Sequence, residues 1–173
     1  RTNWRLQGLL GIGYALSSLF WVRPPDLLAD GGNGLVALRL EDGRMLITPG
    51  KKDPITREAW KRRLAAQDDP EPIVDGAGNG LLRCDGLSCL ALLKGVPVVL
   101  ALRPEALLED CANAQLIVAN FAVPKDVCAN AQRIDRWART KNGAHALWFQ
   151  DGKIERLETV HGQRLAHPWE VAK

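Results

Sequence analysis

Three histidines are the side chains with which this sequence would most readily bind a metal or move a proton. They are His145, His161 and His167, and none lies within four residues of another. A hydrolytic metal site needs several His, Asp or Glu ligands brought together, usually with a dense histidine cluster. His145 alternates with Leu147 and Phe149 in a strand-like stretch, which indicates a partly buried residue with satisfied polar atoms. The spacing therefore does not predict a metal site, and we expect no cofactor.

Four cysteines offer disulfide, thiol or zinc chemistry: Cys84, Cys89, Cys111 and Cys128. Cys84 and Cys89 flank an Asp-Gly pair, so a hairpin would place them opposite each other, close enough for a disulfide. Cys111 and Cys128 lie on either side of a predicted strand, 115–119, and could also pair. Their wide spacing does not fit the close pairs that zinc usually takes. We expect two disulfides and a compartment outside the reducing cytosol; free thiols and zinc are the alternatives, and the connectivity stays open.

Other catalytic motifs are absent from the sequence or incomplete. It contains no G-x-S-x-G nucleophile motif and no G-x-x-x-x-G-K-[ST] phosphate loop. Gly11-Ile12-Gly13 fails the dinucleotide-binding pattern because Leu16 stands where a glycine is needed. A Cys–His pair could be drawn from many combinations, but nothing singles one out, and a disulfide would remove the thiol. We therefore expect that the chain is not an enzyme.

A basic segment is the strongest charge feature of the chain. Residues 51–63 read KKDPITREAWKRR and carry six basic and two acidic side chains, a net charge of +4. The whole chain of 173 residues carries +3, so the remainder sums to −1. A basic helix beside Trp60 could follow a phosphate backbone; the alternatives are a solvated face with Trp60 buried, or contact with lipid headgroups. The candidate DNA-phosphate contacts are Lys51, Lys52, Arg57, Lys61, Arg62 and Arg63.

The elements that would position these groups are mostly short strands. Residues 30–50 read DGGNGLVALRLEDGRMLITPG and predict a glycine-rich turn and a hairpin, with positive φ at both residues of Asp42-Gly43. Asp53 and Pro54 predict the start of a helix that runs to about residue 66. Strands outnumber helices, which predicts a β-rich α/β sandwich. The other predicted elements are strands at 26–29, 34–41, 45–48, 81–84, 88–93, 96–102, 115–119, 144–150 and 153–160, a helix at 104–112, and a further element that begins at 133–135.

The N-terminal segment contains a long uncharged run. Leu6 to Val22 comprises seventeen residues without charge between Arg5 and Arg23, at the short end of the range for a membrane-spanning helix. Tryptophans lie at both ends, and small residues recur at i, i+4, as in helices that pack within membranes. A helix buried in a soluble core and a signal peptide are the alternatives. We expect residues 1–23 to be the last transmembrane helix of a longer membrane protein and residues 24–173 to be its soluble domain.

Several of these motifs, taken in order, resemble the C-terminal region of the ComEC family, the membrane channels for DNA uptake in competence. A last membrane helix and a proline break precede LLADGGNGLVALRLEDGRMLITPG, in which Asp30, Gly32, Gly34 and Gly50 match the family pattern D-x-G-x-G-D…DG…L-x-D-T-G. The stretch RWARTKNGAHALWFQDGK is similar to the family's closing R-T-x-x-x-G-A…DG. The cysteine motifs C-D-x-x-x-C and E-D-C…P-x-x-x-C are similar to those of one branch of the family. The resemblance implies a metallo-β-lactamase-like fold.

The metal-binding positions of that family are not kept. The second family acid falls at Leu35 and the third at Thr48, and the H-x-H-x-D-H motif is nowhere in the chain. The family's later histidine-rich strand end maps to AQLIVANFAVPKD, which has no histidine. The resemblance therefore implies a truncated, degenerate metallo-β-lactamase-like domain without nuclease activity.

The resemblance and these departures predict the non-catalytic C-terminal domain of a ComEC-like inner-membrane DNA-translocation protein. The domain would face the periplasm, contact DNA or pack on the channel portion of the same parent protein, and attach to the membrane through residues 6–22. One alternative is a metal-dependent hydrolase or nuclease with an atypical ligand set. The other is a membrane-anchored structural or docking module without a nucleic-acid role.

Overall fold

The computed structural model describes residues 3–19, 23–32, 34–49, 53–66, 68–78 and 80–161. Within these residues the chain forms four α-helices and eleven β-strands, so the predicted β-rich α/β class is confirmed. The helices are α1 (Asn3–Leu19), α2 (Pro54–Arg63), α3 (Leu107–Asp110), which continues a 3-10 turn at Pro104–Ala106, and α4 (Arg136–Asn142). The strands are β1 (Leu27–Ala29), β2 (Val36–Arg39), β3 (Met45–Ile47), β4 (Glu71–Pro72), β5 (Leu82–Cys84), β6 (Ser88–Leu93), β7 (Val96–Ala101), β8 (Leu116–Ala119), β9 (Gln132–Ile134), β10 (His145–Gln150) and β11 (Lys153–Thr159).

The strands of the described residues form two mixed sheets. The six-stranded sheet has the order β11-β10-β1-β2-β3-β4, and its neighbours are antiparallel except for β3 and β4. The five-stranded sheet has the order β5-β6-β7-β8-β9, in which β5, β6 and β7 are antiparallel, whereas β7, β8 and β9 are parallel. The carboxyl ends of β7, β8 and β9 therefore meet at one edge, the kind of edge at which parallel sheets commonly bind ligands.

The two sheets face each other across one hydrophobic core. On β7, Val98 and Leu100 belong to this core, while Val99 packs on the outer side of the same sheet. Leu27 and Leu147, from paired strands of the six-stranded sheet, enter the same core. Since successive side chains of a strand point to opposite faces, a strand covered on both sides needs the continuous apolar run seen in β7.

Helices and loops cover the outer face of each sheet. At the end of α2, Leu64 is buried against Met45 of the six-stranded sheet, and Trp60 packs there while partly buried. On the other side, Leu107 of α3 packs with Ile117 of the five-stranded sheet. The layers therefore follow the order helix, sheet, sheet, helix, with both sheets shielded from water by short elements.

The tight turns differ in one detail from the sequence prediction. Lys94-Gly95 and Asp151-Gly152 have positive φ at both residues, as two-residue hairpin turns require. At Asp42-Gly43 the prediction is wrong in part, since Gly43 has a φ of 88° but Asp42 does not adopt positive φ. The Asp42 carboxylate instead accepts a hydrogen bond from the Arg44 backbone N–H at 3.0 Å, which stabilises a different turn.

Helix α2 begins where the sequence predicts. The Asp53 carboxylate accepts a hydrogen bond from the Thr56 backbone N–H at 3.0 Å and caps the helix. The helix ends at Arg63, three residues before the predicted end, and Ala65 adopts a positive φ of 52° just beyond it. A left-handed residue cannot continue a right-handed helix, so the chain turns away at this point.

Helix α1 exposes the side chains that are described along it. Its described side chains from residue 7 to residue 17 are all exposed, so the alternative of a helix buried in the core is wrong for this stretch. Among the described residues, no helix combines the length and the apolar character needed to cross a membrane. The transmembrane helix expected at residues 6–22 is therefore not supported, and residues 20–22 lie outside the described residues.

All four cysteines lie among the described residues and pair as two disulfides. Cys84 and Cys89 are directly opposite each other in the register of β5 and β6, with Cα atoms 4.0 Å apart. Cys111 and Cys128 are joined with Cα atoms 5.1 Å apart and enclose β8 between them in the chain. The predicted disulfides are confirmed, and the alternatives of free thiols and of a zinc site at the cysteines are wrong.

Candidate anion-binding site

A cavity of about 420 Å³ opens at the edge where β8 and β9 end. The loop after β1, the loop after β8, and helix α4 surround it. None of its lining residues carries a carboxylate, and two of them are arginines. The lining residues are Gly31, Gly32, Gly34, Asn120, Arg136, Arg139 and Thr140. This composition makes the cavity the candidate functional site.

Arg139 is the structural centre of the cavity. It is buried, with 3% of its surface exposed. Its guanidinium donates to the Asp30 carbonyl, to the Asn120 side-chain oxygen and, at 3.0 Å, to the Leu35 carbonyl. All of these acceptors are uncharged, and the remaining two of its five N–H groups have no acceptor in the part of the chain that is described. One side chain thus ties both loops to α4 while retaining donors for a ligand.

The Arg139 side chain keeps its positive charge despite burial. Burial lowers the pKa of the Arg139 guanidinium from its ordinary value, and the nearby Asp30 carboxylate raises it. Arginine stays protonated in proteins at physiological pH. One oxygen of the Asp30 carboxylate accepts a hydrogen bond from the Gly32 N–H at 3.0 Å, which folds the loop on itself. The cavity therefore contains a buried cation whose field favours an anionic ligand.

The loop after β1 passes so close to its neighbours that glycine is required. Gly34 has a φ of 76°, and a Cβ there would lie 2.7 Å from the Asn120 Nδ2 atom. Since the Asn120 oxygen accepts from Arg139, its amide N–H groups are the donors that face away from the guanidinium. The loop after β1 consequently brings bare backbone to the cavity, beside the Asn120 amide of the loop after β8, which suits a ligand with several acceptor oxygens.

Arg136 supplies a second positive charge. Its side chain is exposed, and its guanidinium has no hydrogen-bond or ion-pair partner among the residues described. The Asp135 carboxylate accepts from the Ala138 N–H at 2.8 Å and caps the start of α4. Arg136, Arg139 and Thr140 stand at i, i+3 and i+4, so one face of this capped helix presents all three to the cavity.

His145 is buried near this edge, with 3% of its surface exposed. The sequence predicts a partly buried imidazole with satisfied polar atoms, but its Nδ1 has no hydrogen-bond partner among the described residues. Burial lowers the pKa of His145, a hydrogen bond to the Gly143 backbone opposes this, and the charge of Arg139 lowers it further. The imidazole is therefore neutral at neutral pH and adds no charge to the site.

Metal ligands do not gather in the described part of the chain. No three His, Cys, Asp or Glu side chains there lie close enough together to hold a metal ion. At the two positions where the resembled family has acids that this chain lacks, the Leu35 carbonyl accepts from Arg139, and the Thr48 hydroxyl oxygen accepts from the Val36 N–H at 3.0 Å. Both residues therefore contribute hydrogen bonds that stabilise the fold at this edge. That the chain is not an enzyme stays a prediction.

The predicted DNA contacts that the structure describes lie on α2, which does not line the cavity. Lys51 and Lys52 are outside the described residues. Arg62 has a side chain that is 79% exposed and forms an i, i+4 ion pair with Glu58 at 3.2 Å. Arg63 is exposed at the end of the helix. The exposed end of α2 therefore keeps its basic character.

Two other predicted contacts are engaged within the fold. The Arg57 guanidinium donates to the Thr48 carbonyl at 3.0 Å and so holds α2 to the end of β3. Lys61 forms an ion pair with Asp69 at 2.6 Å, and this hydrogen bond raises the pKa of the Lys61 ammonium. A DNA phosphate would compete with these internal acceptors, whereas Arg136 has no such competitor among the described residues.

The sequence reasoning did not assign a role to Arg136, Arg139, Thr140 or Asn120. The stretch that carries three of them, RWARTKNGAHALWFQDGK, was noted only for its similarity to a family motif, and its helix α4 was not predicted. No family model, no curated protein and no solved structure matches this chain.

Proposed function

We propose that this chain is the non-catalytic C-terminal domain of a ComEC-like DNA-translocation protein and that it binds the DNA phosphate backbone at the cavity. One observation carries the proposal: the edge of the sheet holds a buried arginine, and a second arginine without a partner among the described residues, in place of the acids and histidines of the family that the sequence resembles. The helix–sheet–sheet–helix layering supports a truncated metallo-β-lactamase-like fold.

Phosphate fits the donors at this edge. Arg139 retains N–H donors, Arg136 is unpaired among the described residues, and Thr140 adds a hydroxyl. The planar guanidinium recognises phosphate oxygens with paired hydrogen bonds, and it is more weakly hydrated than an ammonium. Because each DNA phosphate carries one negative charge, a cavity with two arginines and no lining carboxylate attracts the backbone irrespective of base sequence.

The proposed location of the domain is the periplasmic side of the inner membrane. The two disulfides support an oxidising compartment such as the periplasm. The uncharged run at residues 6–22 would lie in or at the inner membrane, beside the channel portion of the same parent protein. In this arrangement the domain contributes DNA binding or channel assembly and leaves the transport step to the channel.

The salt dependence of DNA binding tests the proposal. We expect Arg136→Gln to weaken binding of the oxidised chain about tenfold and to reduce the slope of log K against log salt by about one phosphate contact. Arg62→Gln is the matched control, because Arg62 is exposed on α2 and already paired with Glu58. An unchanged affinity and slope for Arg136→Gln would show that the cavity does not bind DNA phosphates. The basic end of α2 would then be the DNA-binding surface, or the domain would be a docking module without a nucleic-acid role.

Metal content tests the non-catalytic part of the proposal. The oxidised chain is incubated with zinc and with manganese, passed over a desalting column and assayed for bound metal. We expect less than one ion per ten chains to remain, since Arg139 places positive charge at the edge. One or two tightly held ions per chain would return metal-dependent hydrolysis as the leading function.

A further inference from the structure

We propose that Trp137 is a base-stacking platform beside the cavity, so that the site prefers single-stranded over double-stranded nucleic acid; this inference rests on the proposed phosphate-binding function. Trp137 is 72% exposed on α4. Tryptophan is highly buried on average in folded proteins, so an indole this open to water is uncommon. Its position directly after Arg136, an arginine that lines the cavity, indicates what that partner is.

Trp137 does not line the cavity itself, but it lies within about 100° around α4 of Arg136 and of Thr140, which both line the cavity. Consecutive residues of an α-helix differ by about 100°, so Trp137 is one step around α4 from Arg136. It shares a helix face with Thr140, which lines the cavity, and with Lys141, which is exposed. Phosphates attracted to the arginines would therefore bring neighbouring nucleotides over the indole.

The exposed Trp137 ring has no structural role in the described part of the fold. Among the described residues, its side chain makes no hydrogen bond and no ring contact. Trp148, in contrast, is buried, donates to the Arg23 carbonyl at 2.9 Å and lies under the Arg156 guanidinium at 3.7 Å. The contrast separates a tryptophan used for packing from one that is available to a ligand.

The strand preference follows from where bases are accessible. In a duplex the bases are stacked on each other and paired, so an indole at the surface reaches only the backbone. On a single strand an unpaired base can stack on an aromatic side chain, with little regard to sequence, while basic groups follow the phosphates. Arg136 and Arg139 then supply affinity for either form, and Trp137 adds affinity only for the single strand.

Paired binding assays on the full oxidised chain test this inference. A 20-nucleotide oligothymidine and a 20-base-pair duplex are titrated into wild type, Trp137→Ala, Trp137→Phe and Arg136→Gln. We expect Trp137→Ala to weaken oligothymidine binding about tenfold and duplex binding less than twofold, with the salt slope unchanged. Trp137→Phe keeps most of the affinity because a ring remains. Arg136→Gln weakens both ligands and lowers the slope.

A matched control comes from the opposite end of the sandwich. Leu92 is 56% exposed on β6, close to the Lys94-Gly95 turn, so Leu92→Ala removes exposed apolar surface far from the cavity. This variant should bind both ligands as wild type does. An equal loss for the two variants on oligothymidine would show a non-specific apolar effect and overturn the inference.

The possible failures can be told apart. Wild type that binds neither nucleic acid would remove the proposed function and this inference together. Equal effects of Trp137→Ala on single strand and duplex would overturn the stacking role and leave phosphate binding intact. Vesicles with anionic phospholipid form a third arm, since exposed tryptophan beside basic residues also suits a membrane interface. Loss of vesicle binding with unchanged oligothymidine binding would assign the ring to lipid and overturn the inference.

Discussion

Replacement of Arg139 by methionine tests whether one side chain holds the edge of the sheet together. Methionine is unbranched and flexible, so it fills much of the same space while removing every donor. The change leaves the Asp30 and Leu35 carbonyls and the Asn120 side-chain oxygen without their donor. Since a hydrogen bond contributes about 1 kcal/mol net, we expect the free energy of unfolding to fall by about 3 kcal/mol.

Urea unfolding of the oxidised chain measures this loss. With a slope of about 2 kcal/mol per molar urea, the midpoint should fall by about 1.5 M while the slope stays unchanged. Arg136→Met is the matched control, because Arg136 lies on the same helix and lines the same cavity but is exposed and unpaired among the described residues. Its unfolding free energy should stay within about 0.5 kcal/mol of wild type.

Equal midpoints for the two methionine variants would refute the reasoning. The desolvation cost of the buried guanidinium would then cancel the gain from its hydrogen bonds. Arg139→Lys separates charge from geometry, since an ammonium keeps the charge but donates from a single point. It cannot reach acceptors on both loops at once, so we expect it to recover less than half of the stability that Arg139→Met loses.

Three other features of the fold can be perturbed separately. Changing Cys111 and Cys128 to serine should lower the free energy of unfolding by about 3 kcal/mol, since the disulfide spans 17 residues; a urea midpoint shift below about 0.5 M would contradict this. Burial holds the pKa of His145 below its ordinary 6.5. The free energy of unfolding is therefore highest above that pH and declines as pH falls, because the unfolded chain binds the proton more readily than the buried imidazole does. His145→Gln should therefore show a shallower loss of unfolding free energy than wild type between about pH 7 and pH 5.5, and parallel curves would argue against this. Gly34→Ala should cost about 1–3 kcal/mol and weaken DNA binding, because its φ is positive and its Cβ would displace the Asn120 amide; wild-type thermal stability would contradict this.

Most strands follow from local sequence patterns. The strands predicted at 88–93 and 96–102 are observed at Ser88–Leu93 and Val96–Ala101, on either side of the Lys94-Gly95 turn. Apolar runs of this length and turn residues with positive φ act over a few neighbours, so they are readable without the tertiary structure. The pairing of Cys84 with Cys89 is predictable for the same reason, because hairpin register is local.

Helix α4 and the cavity cannot be predicted from local sequence patterns. The sequence RWARTKN has no apolar stripe, so no helical period identifies it. Its helical state depends on the Asp135 cap and on Arg139, whose three acceptors are 109, 19 and 104 residues away in sequence. Contacts at such separations arise from the arrangement of the two sheets. A charged residue that the sequence shows as a surface residue is therefore buried at the centre of the site.

The positions where the resembled family carries acids indicate why binding is a more natural role here than metal chemistry. Asp30 keeps its carboxylate, but one oxygen accepts from Gly32 N–H and its carbonyl accepts from Arg139. Leu35 offers only its carbonyl, to the same guanidinium. The loop that would gather negative charge around a cation is thus organised around a cation of its own. A divalent metal would be repelled by Arg139, whereas a phosphate would be attracted, so the sign of charge at this edge favours an anionic ligand over a metal cation.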